Sequence, residues 1–332
     1  MKKVLLEHGD GGKLTHQLIQ DIFRTAFQDD ILNQETDAAL LPIEGIRLAV
    51  TTDSFVIHPL LFPGGDIGKL AVAGTVNDIA VSGAIPRYMT VGFILEEGLD
   101  LELLKGVTMS MAKTAREAGV RIVAGDTKVV ERGKCDGMFI NTTGVGFMYG
   151  QLGLGYDEIQ AGDVIVINGG IAEHGVAVLS ERAGIRFDPP LLSDCQPLNL
   201  LIKKILERFS TVKFMRDPTR GGVATTLKEI TDRARVRMIL EEDAIPMTEQ
   251  VRGALEFMGM DPLYIANEGK VLIVVGEEEA DALVEFMQQE GHWMAARIGK
   301  VEAGNGELLL KTSLGGTRVL GMLSGAPLPR IC

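Results

Sequence analysis

Three acidic residues in the first half of the chain have the chemistry of a metal–phosphate site. Asp53 ends an apolar run, Asp78 lies inside an otherwise apolar helical segment, and Asp126 sits in a Gly-Asp turn followed by Lys128. A carboxylate among apolar neighbours is expensive to bury without a cation or a partner. Carboxylates are ligands that Mg²⁺ shares with phosphates, and a lysine can neutralise phosphate charge. The set predicts a Mg²⁺–phosphate site, with a solvent-facing Asp78 as the alternative.

Two glycine-rich segments bear on phosphate binding. Residues 8–13 read His-Gly-Asp-Gly-Gly-Lys. Consecutive glycines let backbone N–H groups point at an anion, although a plain turn explains this segment better when it is taken alone. Residues 64–70 imitate a P-loop, but the glycine spacing is one residue short and Leu70 cannot ligate Mg²⁺. If ATP binds, the sequence predicts another architecture.

The second half contributes two further polar motifs. Asp217-Pro218-Thr219-Arg220-Gly221-Gly222 precedes a predicted helix, whose first N–H groups would face an anion. Asn267-Glu268-Gly269-Lys270 comes just before a predicted strand. Glu268 is a candidate base, and Lys270 is either a phosphate partner or a surface charge. A β-turn and a solvated loop are the alternatives for the two motifs.

The three cysteines are Cys135, Cys195 and Cys332. None lies in a CxxC pair, so neither a disulfide framework nor a zinc site is predicted, and a reducing cytoplasm fits best. Cys332 follows Pro327 and Pro329 on a segment with few core-forming residues, which we interpret as a mobile tail. A thiol there would act as a carrier that swings between sites; an incidental exposed cysteine is the alternative.

Length and charge narrow the class of protein. A chain of 332 residues predicts two domains. The net charge of −12 argues against nucleic-acid binding, since an acidic surface repels a phosphate backbone. No run of apolar residues is long enough to span a membrane, and residues 1–12 lack the apolar region of a secretory signal. We therefore expect a cytoplasmic protein.

Strand and helix patterns alternate in both halves, which predicts an α/β fold. The predicted strands are 47–56, 87–95, 121–130, 138–147, 163–168, 212–215, 236–240, 271–275, 297–301 and 307–311. The predicted helices are 66–82, 100–118, 172–182, one within 194–209, 222–233, 247–258 and 277–289. Asp66 and Asp100 are predicted N-caps, and Leu101, Leu104, Thr108, Met111 and Ala115 the apolar face of the second helix. We place the domains at 1–150 and 151–323, followed by the tail 324–332.

Taken together, these motifs resemble those of a known family. The matching segments are residues 8–12, 51–55, 62–70, 75–78, 82–88, 125–130, 219–223, 267–270 and 329–332. They resemble the HypE family of hydrogenase maturation proteins, within the PurM-like superfamily of ATP-dependent synthetases. The Asp and Gly motifs specify the superfamily, and the Pro-Arg-Ile-Cys ending specifies the HypE family.

The resemblance implies a two-domain PurM-like fold, an α/β (α+β) architecture with an N-terminal domain that dimerises. It implies that HypF places a carboxamide on Cys332 and that ATP with Mg²⁺ drives its dehydration to a thiocyanate. The cyano group then passes to iron held by a HypC–HypD complex.

The resemblance also assigns residues. Glu268 is the implied base, Lys128 a second essential polar group, and Cys332 the carrier. The implied Mg²⁺ ligands are Asp53, Asp78, Asp126 and Asp217. The implied cofactor-binding residues are Gly9, Asp10, Gly11, Gly12, Asp53, Lys69, Asn77, Asp78 and Asp126.

Three rival functions fit the sequence less well. Selenophosphate synthetases typically have a reactive cysteine or selenocysteine near the N-terminal glycine motif, and residues 1–20 contain none. An aminoimidazole ribonucleotide synthetase would leave the Cys332 tail unexplained. A non-catalytic scaffold would need no ATP site, so the acidic residues argue against it.

Overall fold

The computed structural model describes residues 4–5, 8, 12–28, 30–31, 36–43, 46–150 and 153–323. The helices are α1 (Lys13–Leu18), α2 (Thr25–Phe27), α3 (Ile67–Val81), α4 (Leu101–Glu117), α5 (Glu173–Ala183), α6 (Asn199–Arg208), α7 (Gly222–Ala234), α8 (Glu249–Met258) and α9 (Glu277–Gln289). A π-helical segment, Ile19–Arg24, joins α1 to α2, and 3-10 turns span Tyr156–Glu158, Glu242–Ala244 and Pro262–Tyr264.

The strands are β1 (Ala39–Ile43), β2 (Ile46–Phe55), β3 (Leu61–Phe62), β4 (Gly65–Asp66), β5 (Ala84–Glu96), β6 (Arg121–Val130), β7 (Met138–Met148), β8 (Val164–Ile167), β9 (Val212–Arg216), β10 (Val236–Glu241), β11 (Leu272–Val275), β12 (Ala296–Ala303), β13 (Leu308–Lys311) and β14 (Thr317–Leu320). No helix in the described ranges is long and apolar enough to cross a membrane.

The described residues form two compact units. The five-stranded unit comprises the described part of residues 36–152 together with residues 173–204. The seven-stranded unit comprises the described parts of residues 1–35 and 205–329 together with residues 153–172. The helix α5 and the start of α6 thus belong to the five-stranded unit, although β8 before them belongs to the other, and the sequence did not predict this exchange. The domain boundaries at 150 and 323 stay a prediction.

The five-stranded sheet has the order β1-β2-β7-β5-β6. Its pairs are antiparallel except for β5 with β6, which run parallel. The helix α3 packs on one face, against β2, β7 and β5, and α4 packs on α3. Nearly all of α3 is buried, because Gly74 and several alanines let it lie close to the sheet.

Close packing of α3 on the sheet depends on glycines in β7. A Cβ placed at Gly146 would lie 2.4 Å from Ile79 Cγ2 and 2.9 Å from the Ile85 carbonyl oxygen. A Cβ at Gly144 would lie 2.7 Å from Thr75 Cγ2. Because one of these atoms belongs to the backbone, the clash cannot be relieved by side-chain rotation alone. The glycines therefore set the distance between sheet and helix.

We expect Gly146→Ala to lower the free energy of unfolding by about 1–3 kcal/mol, since overpacking a core forces backbone shifts. The matched control is Gly106→Ala in α4, where an added Cβ meets nothing within 4 Å. That change should raise stability by about 0.5–1 kcal/mol through helix propensity. Chemical denaturation measures both, and a Gly146→Ala protein as stable as wild type would contradict the packing argument.

The seven-stranded sheet has the order β14-β13-β10-β12-β8-β11-β9. All its pairs are antiparallel except β10 with β13. The central strands β8 and β11 are buried at every position. The helices α7 and α9 pack on this sheet.

Local signals predicted the helix starts. Asp66 caps α3 by accepting from the amides of Gly68 and Lys69 at 2.7 and 3.0 Å. Asp100 caps α4 through the amide of Glu102 at 2.7 Å. These caps and the alternation of elements confirm the predicted α/β pattern.

The predicted apolar face of α4 was partly wrong. Its buried residues are Val107, Met111, Thr114 and Ala115, whereas Leu101 is 77% exposed. The face is rotated because Gly68 of α3 opens a gap that Val107 and Met111 fill. The sequence also missed α1, α2, β1, β3, β4 and β14. Among these β1 contains Pro42, which a strand accepts at a sheet edge.

Candidate functional site

Asp53 and Asp78 lie near one another between β2 and α3. The Thr51 hydroxyl donates to Asp78 Oδ2 over 2.9 Å. A Cβ placed at Gly74 would lie 3.9 Å from Asp53 Oδ2. Since residues 51 and 53 share one face of β2 and residues 74 and 78 one face of α3, the two carboxylates lie about one helical turn apart. Both side chains are half-buried, so a fully solvent-facing Asp78 is excluded.

This pair of carboxylates fits the role predicted for Mg²⁺. Within the described part of the chain no three His, Cys, Asp or Glu side chains lie close enough to hold a metal ion. Mg²⁺ bound with a nucleotide needs only one or two carboxylates, because phosphates and water complete its coordination. Asp53 and Asp78 are therefore sufficient in number and chemistry.

Asp126 does not join this pair within one chain. The residues aligned across the sheet with Asp53 are Thr142, Val91 and Gly125, in strands β7, β5 and β6. Three steps between strands amount to about 14 Å. Asp126 follows Gly125, so its side chain points to the opposite face of the sheet. Within one chain the structure therefore brings Asp53 and Asp78 together and leaves Asp126 apart from them, and the predicted metal role of Asp126 stays a prediction.

Lys128 lies on the same strand and face as Asp126. Its Nζ is 3.5 Å from Asp126 Oδ2, and the two side chains are 73% and 71% exposed. In a single chain the ion pair therefore lies on an open sheet face, away from α3. The predicted roles of Lys128 in catalysis and of Asp126 in metal binding stay predictions.

Asn77 has a structural contact that the sequence did not predict. Its Oδ1 accepts from the Leu198 amide at 2.7 Å, and its Nδ2 donates to the Gln196 carbonyl at 3.1 Å. The side chain is buried and holds the segment before α6 against α3. The predicted role of Asn77 in cofactor binding stays a prediction.

The start of α3 is closed to an anion. The Asp66 carboxylate already accepts from the first amides of the helix. Lys69 Nζ donates to the Gly64 carbonyl at 2.8 Å. This geometry agrees with the rejection of a P-loop at residues 64–70. The predicted role of Lys69 in cofactor binding stays a prediction.

In the seven-stranded unit, Asp217, Glu268 and Lys270 are all buried. Glu268 is only 3% exposed, so its motif is not a solvated loop, and Lys270 is not a surface charge. Charged groups remain buried only where partners compensate the loss of water. Burial and the nearby Lys270 ammonium lower the pKa of His292.

The turn after Asp217 requires glycine for packing. Gly221 and Gly222 have φ values of 77° and 62°, and a Cβ at Gly222 would lie 2.6 Å from the Leu263 carbonyl oxygen. The backbone at the start of α7 therefore packs on residues 263–265. Asp217 belongs to the seven-stranded unit, whereas Asp53 and Asp78 belong to the other, and its predicted metal role stays a prediction.

Two buried asparagines, Asn168 and Asn267, were not assigned any role from the sequence. Asn168 binds Gly269 and Val271, and Asn267 binds three separate segments. The only sequence signal was asparagine directly beside a run of apolar residues, where an unpaired amide would be costly.

Gly12 lies beside the last described residues of the chain. A Cβ at Gly12 would lie 2.6 Å from the Leu323 carbonyl oxygen. The Leu323 amide donates to Thr225 Oγ1 at 3.2 Å, and the Tyr264 hydroxyl donates to the Gly321 carbonyl at 3.0 Å. Of the other predicted site residues, Gly9, Asp10, Gly11 and Cys332 lie outside the described residues.

The fold and these motifs define a class of protein. The domain family described as AIR synthase related protein, N-terminal domain, matches residues 35–148. The family described as AIR synthase related protein, C-terminal domain, matches residues 160–311. The chain is therefore a two-domain AIR synthase-related protein, and the predicted PurM-like fold is confirmed.

Individual relatives narrow this class to one family. The carbamoyl dehydratase HypE of Cupriavidus necator is 48% identical over 99% of this chain and 95% of its own length. A crystal structure of a HypE–HypF complex contains a chain that is 45% identical, with a TM-score of 0.87 over 92% of this chain and 99% of that one. A crystal structure of HypE in complex with ATP is 46% identical, with a TM-score of 0.83 over 99% of this chain and all of that one. The chain belongs to the HypE family of carbamoyl dehydratases, and the predicted family and enzymatic class are confirmed.

Proposed function

We propose that this chain converts an S-carboxamide on its own Cys332 to an S-cyanide at the expense of ATP, which supplies the cyanide ligand of a [NiFe]-hydrogenase iron. The observation behind the proposal is a buried glutamate, Glu268, in a chain that matches carbamoyl dehydratases along almost its whole length. The products are a thiocyanate, ADP and phosphate, and the phosphate retains the amide oxygen.

The residues divide the chemistry between them. An amide oxygen is a poor leaving group, and bound Mg·ATP supplies the phosphoryl group that makes it a good one. Asp53 and Asp78 would hold the metal. Glu268 accepts the N–H protons as the C≡N bond forms, in a position from which water is largely excluded. Lys128 is proposed to stabilise phosphate charge.

A relative crystallised with ATP supports the choice of nucleotide. Gly9, Asp10, Gly11 and Gly12 are proposed to contact it, together with Lys69. Mg²⁺ as the metal rests on the oxygen chemistry of Asp53 and Asp78.

The proposed protein partners follow the order of the reaction. HypF would load the carboxamide, and a relative crystallised as a HypE–HypF complex supports this partner. A HypC–HypD complex would accept the cyano group. We place these steps in the cytoplasm, where a reducing environment would keep the Cys135 thiol free.

A homodimer is proposed from the edge of the five-stranded sheet. The edge strand β6 exposes every residue from Arg121 to Val129, including apolar Ile122 and Val123. An exposed apolar edge strand is a template for pairing with another chain. A second copy would cover this strand and bring Asp126 and Lys128 into an interface.

The proposal is tested by mass spectrometry of the whole protein and its peptides. After carbamoylation by a HypF protein and removal of the reagents, Cys332 should have gained the mass of one carboxamide. Mg·ATP should then remove the mass of one water. Cys332→Ser should abolish both changes, and Cys135→Ser should alter neither. Absence of a carboxamide with an active HypF would overturn the carrier role, and ATP binding without loss of water would favour a scaffold.

A further inference from the structure

We infer that Asn267 is a positioning residue that holds the Asp217 turn and Glu268 in a fixed relation. This inference rests on the proposed function of Glu268 as the base. Asn267 precedes Glu268, is 0% exposed, and makes four hydrogen bonds to three separate segments.

The first link joins Asn267 to the Asp217 turn. The carbonyl of Pro218, the residue after Asp217, accepts from Asn267 Nδ2 at 3.0 Å. The same carbonyl accepts from the Asn267 backbone amide at 3.2 Å. Two donors of one residue thus bind one acceptor, and this contact couples the positions of two buried acidic residues, Asp217 and Glu268.

The second link joins Asn267 to the backbone at Ala172. The Ala172 amide donates to Asn267 Oδ1 at 2.7 Å. Ala172 has a φ of 71°, in the left-handed region that residues with a Cβ rarely adopt. Such a conformation persists only when its surroundings fix it, and it is common near functional sites. The third bond, from Nδ2 to the Ile265 carbonyl at 3.0 Å, uses the remaining donor.

Asn168 fixes the chain on the other side of Glu268. Its Oδ1 accepts from the Val271 amide at 2.8 Å, and its Nδ2 donates to the Gly269 carbonyl at 3.2 Å. Both neighbours of Glu268 in the chain are therefore held by buried amides. Proton transfer requires a well-placed base. The hydrogen bonds on both sides of Glu268 restrict the backbone from which its carboxylate extends.

The test compares Asn267→Asp with Asn199→Ala. Asn267→Asp keeps the acceptor for Ala172 but loses both side-chain donors, so a carboxylate would face two carbonyl oxygens. Asn199 is a buried asparagine of the five-stranded unit whose Nδ2 donates to the Ala118 carbonyl at 2.8 Å. It matches Asn267 in burial but does not touch the Glu268 segment.

With carbamoylated protein, Asn267→Asp should lower kcat for loss of water by about 10- to 100-fold, as expected for a misplaced base. Its KM for ATP should change less than about twofold, because the described contacts of Asn267 are with Ala172, Pro218 and Ile265 and a positioning role acts on the chemical step. Asn199→Ala should retain near wild-type kcat per folded molecule, even where its melting temperature falls as far. Equal loss of kcat in both variants would overturn the positioning role.

Amide hydrogen exchange gives a second readout that needs no activity. Peptides with Ala172 and with residues 217–222 should exchange faster in Asn267→Asp and not in Asn199→Ala. Unchanged exchange at both segments would overturn the inference. If wild-type protein forms no thiocyanate, the proposed function fails, and the exchange data still decide whether Asn267 holds the two segments. If Asn267→Asp does not fold, Asn267→Ser takes its place in both measurements.

Discussion

Glu268→Gln is expected to reduce ATP-dependent loss of water from the carboxamide at Cys332 by at least about 100-fold, the usual scale for removing a general base. Glutamine has the same shape as glutamate but cannot accept the N–H protons. Loading of the carboxamide should be unchanged, because HypF performs that step. Single-turnover mass spectrometry of preloaded protein isolates the dehydration and measures this loss directly.

The matched control is Glu279→Gln, in the same unit. Glu279 accepts from the Thr211 amide at 2.8 Å and from the Thr211 hydroxyl at 2.6 Å. Its replacement should lower stability by about 1–2 kcal/mol while turnover remains. Turnover of the Glu268→Gln protein within a few-fold of wild type would remove Glu268 from the mechanism and leave the protonation steps to another group.

Lys128→Ala is expected to have the second largest effect, a loss of turnover of about 100-fold or more, since the proposed role of Lys128 is to place a positive charge beside the transferring phosphoryl group. The melting temperature should not change, because an exposed ion pair such as Lys128–Asp126 contributes only about 0–1 kcal/mol. The control is Lys105→Ala, an exposed lysine in an ion pair of similar length with Glu102. Equal turnover of the two variants would contradict the role of Lys128.

A mixture of the two inactive variants tests where Lys128 acts. In a dimer of Lys128→Ala with Glu268→Gln, one site would contain an intact Lys128 from one chain and an intact Glu268 from the other. Recovered turnover would mean that the two chains share a site. The exposure of Lys128 on the sheet face of β6 favours this result. No recovery from dimers shown to exchange subunits would place both residues in the same chain.

Features that depend on neighbouring residues were predictable from the sequence, whereas features that depend on distant contacts were not. Asp66 and Asp100 were identified as helix caps because capping chemistry involves only neighbouring residues. The position of Asp126 depends on the strand order β2-β7-β5-β6, which no local signal specifies. Within one chain, the three aspartates therefore lie as a pair and one distant residue.

Buried amides were harder to predict than buried acids. Asn77 and Asn267 bind backbone groups far away in the chain, and asparagine is more common in turns than in cores. The burial of Glu268 and Lys270 likewise depends on how the segments that contain Ala172, Pro218 and Ile265 pack together. Sequence motifs thus indicated candidate residues, whereas long-range contacts determine which of them are buried and which lie close together.

The contact between Gly12 and Leu323 has a consequence for how the thiol reaches its reaction partners. The nine residues from 324 to 332 can span at most about 30 Å from Leu323, which is held by Thr225. A thiol confined to a sphere of that radius has an effective concentration on the order of 10 mM. A free thiocarbamate at micromolar concentration would therefore compete poorly with the tethered group. Tethering therefore favours dehydration of the carboxamide that is attached to the enzyme's own Cys332.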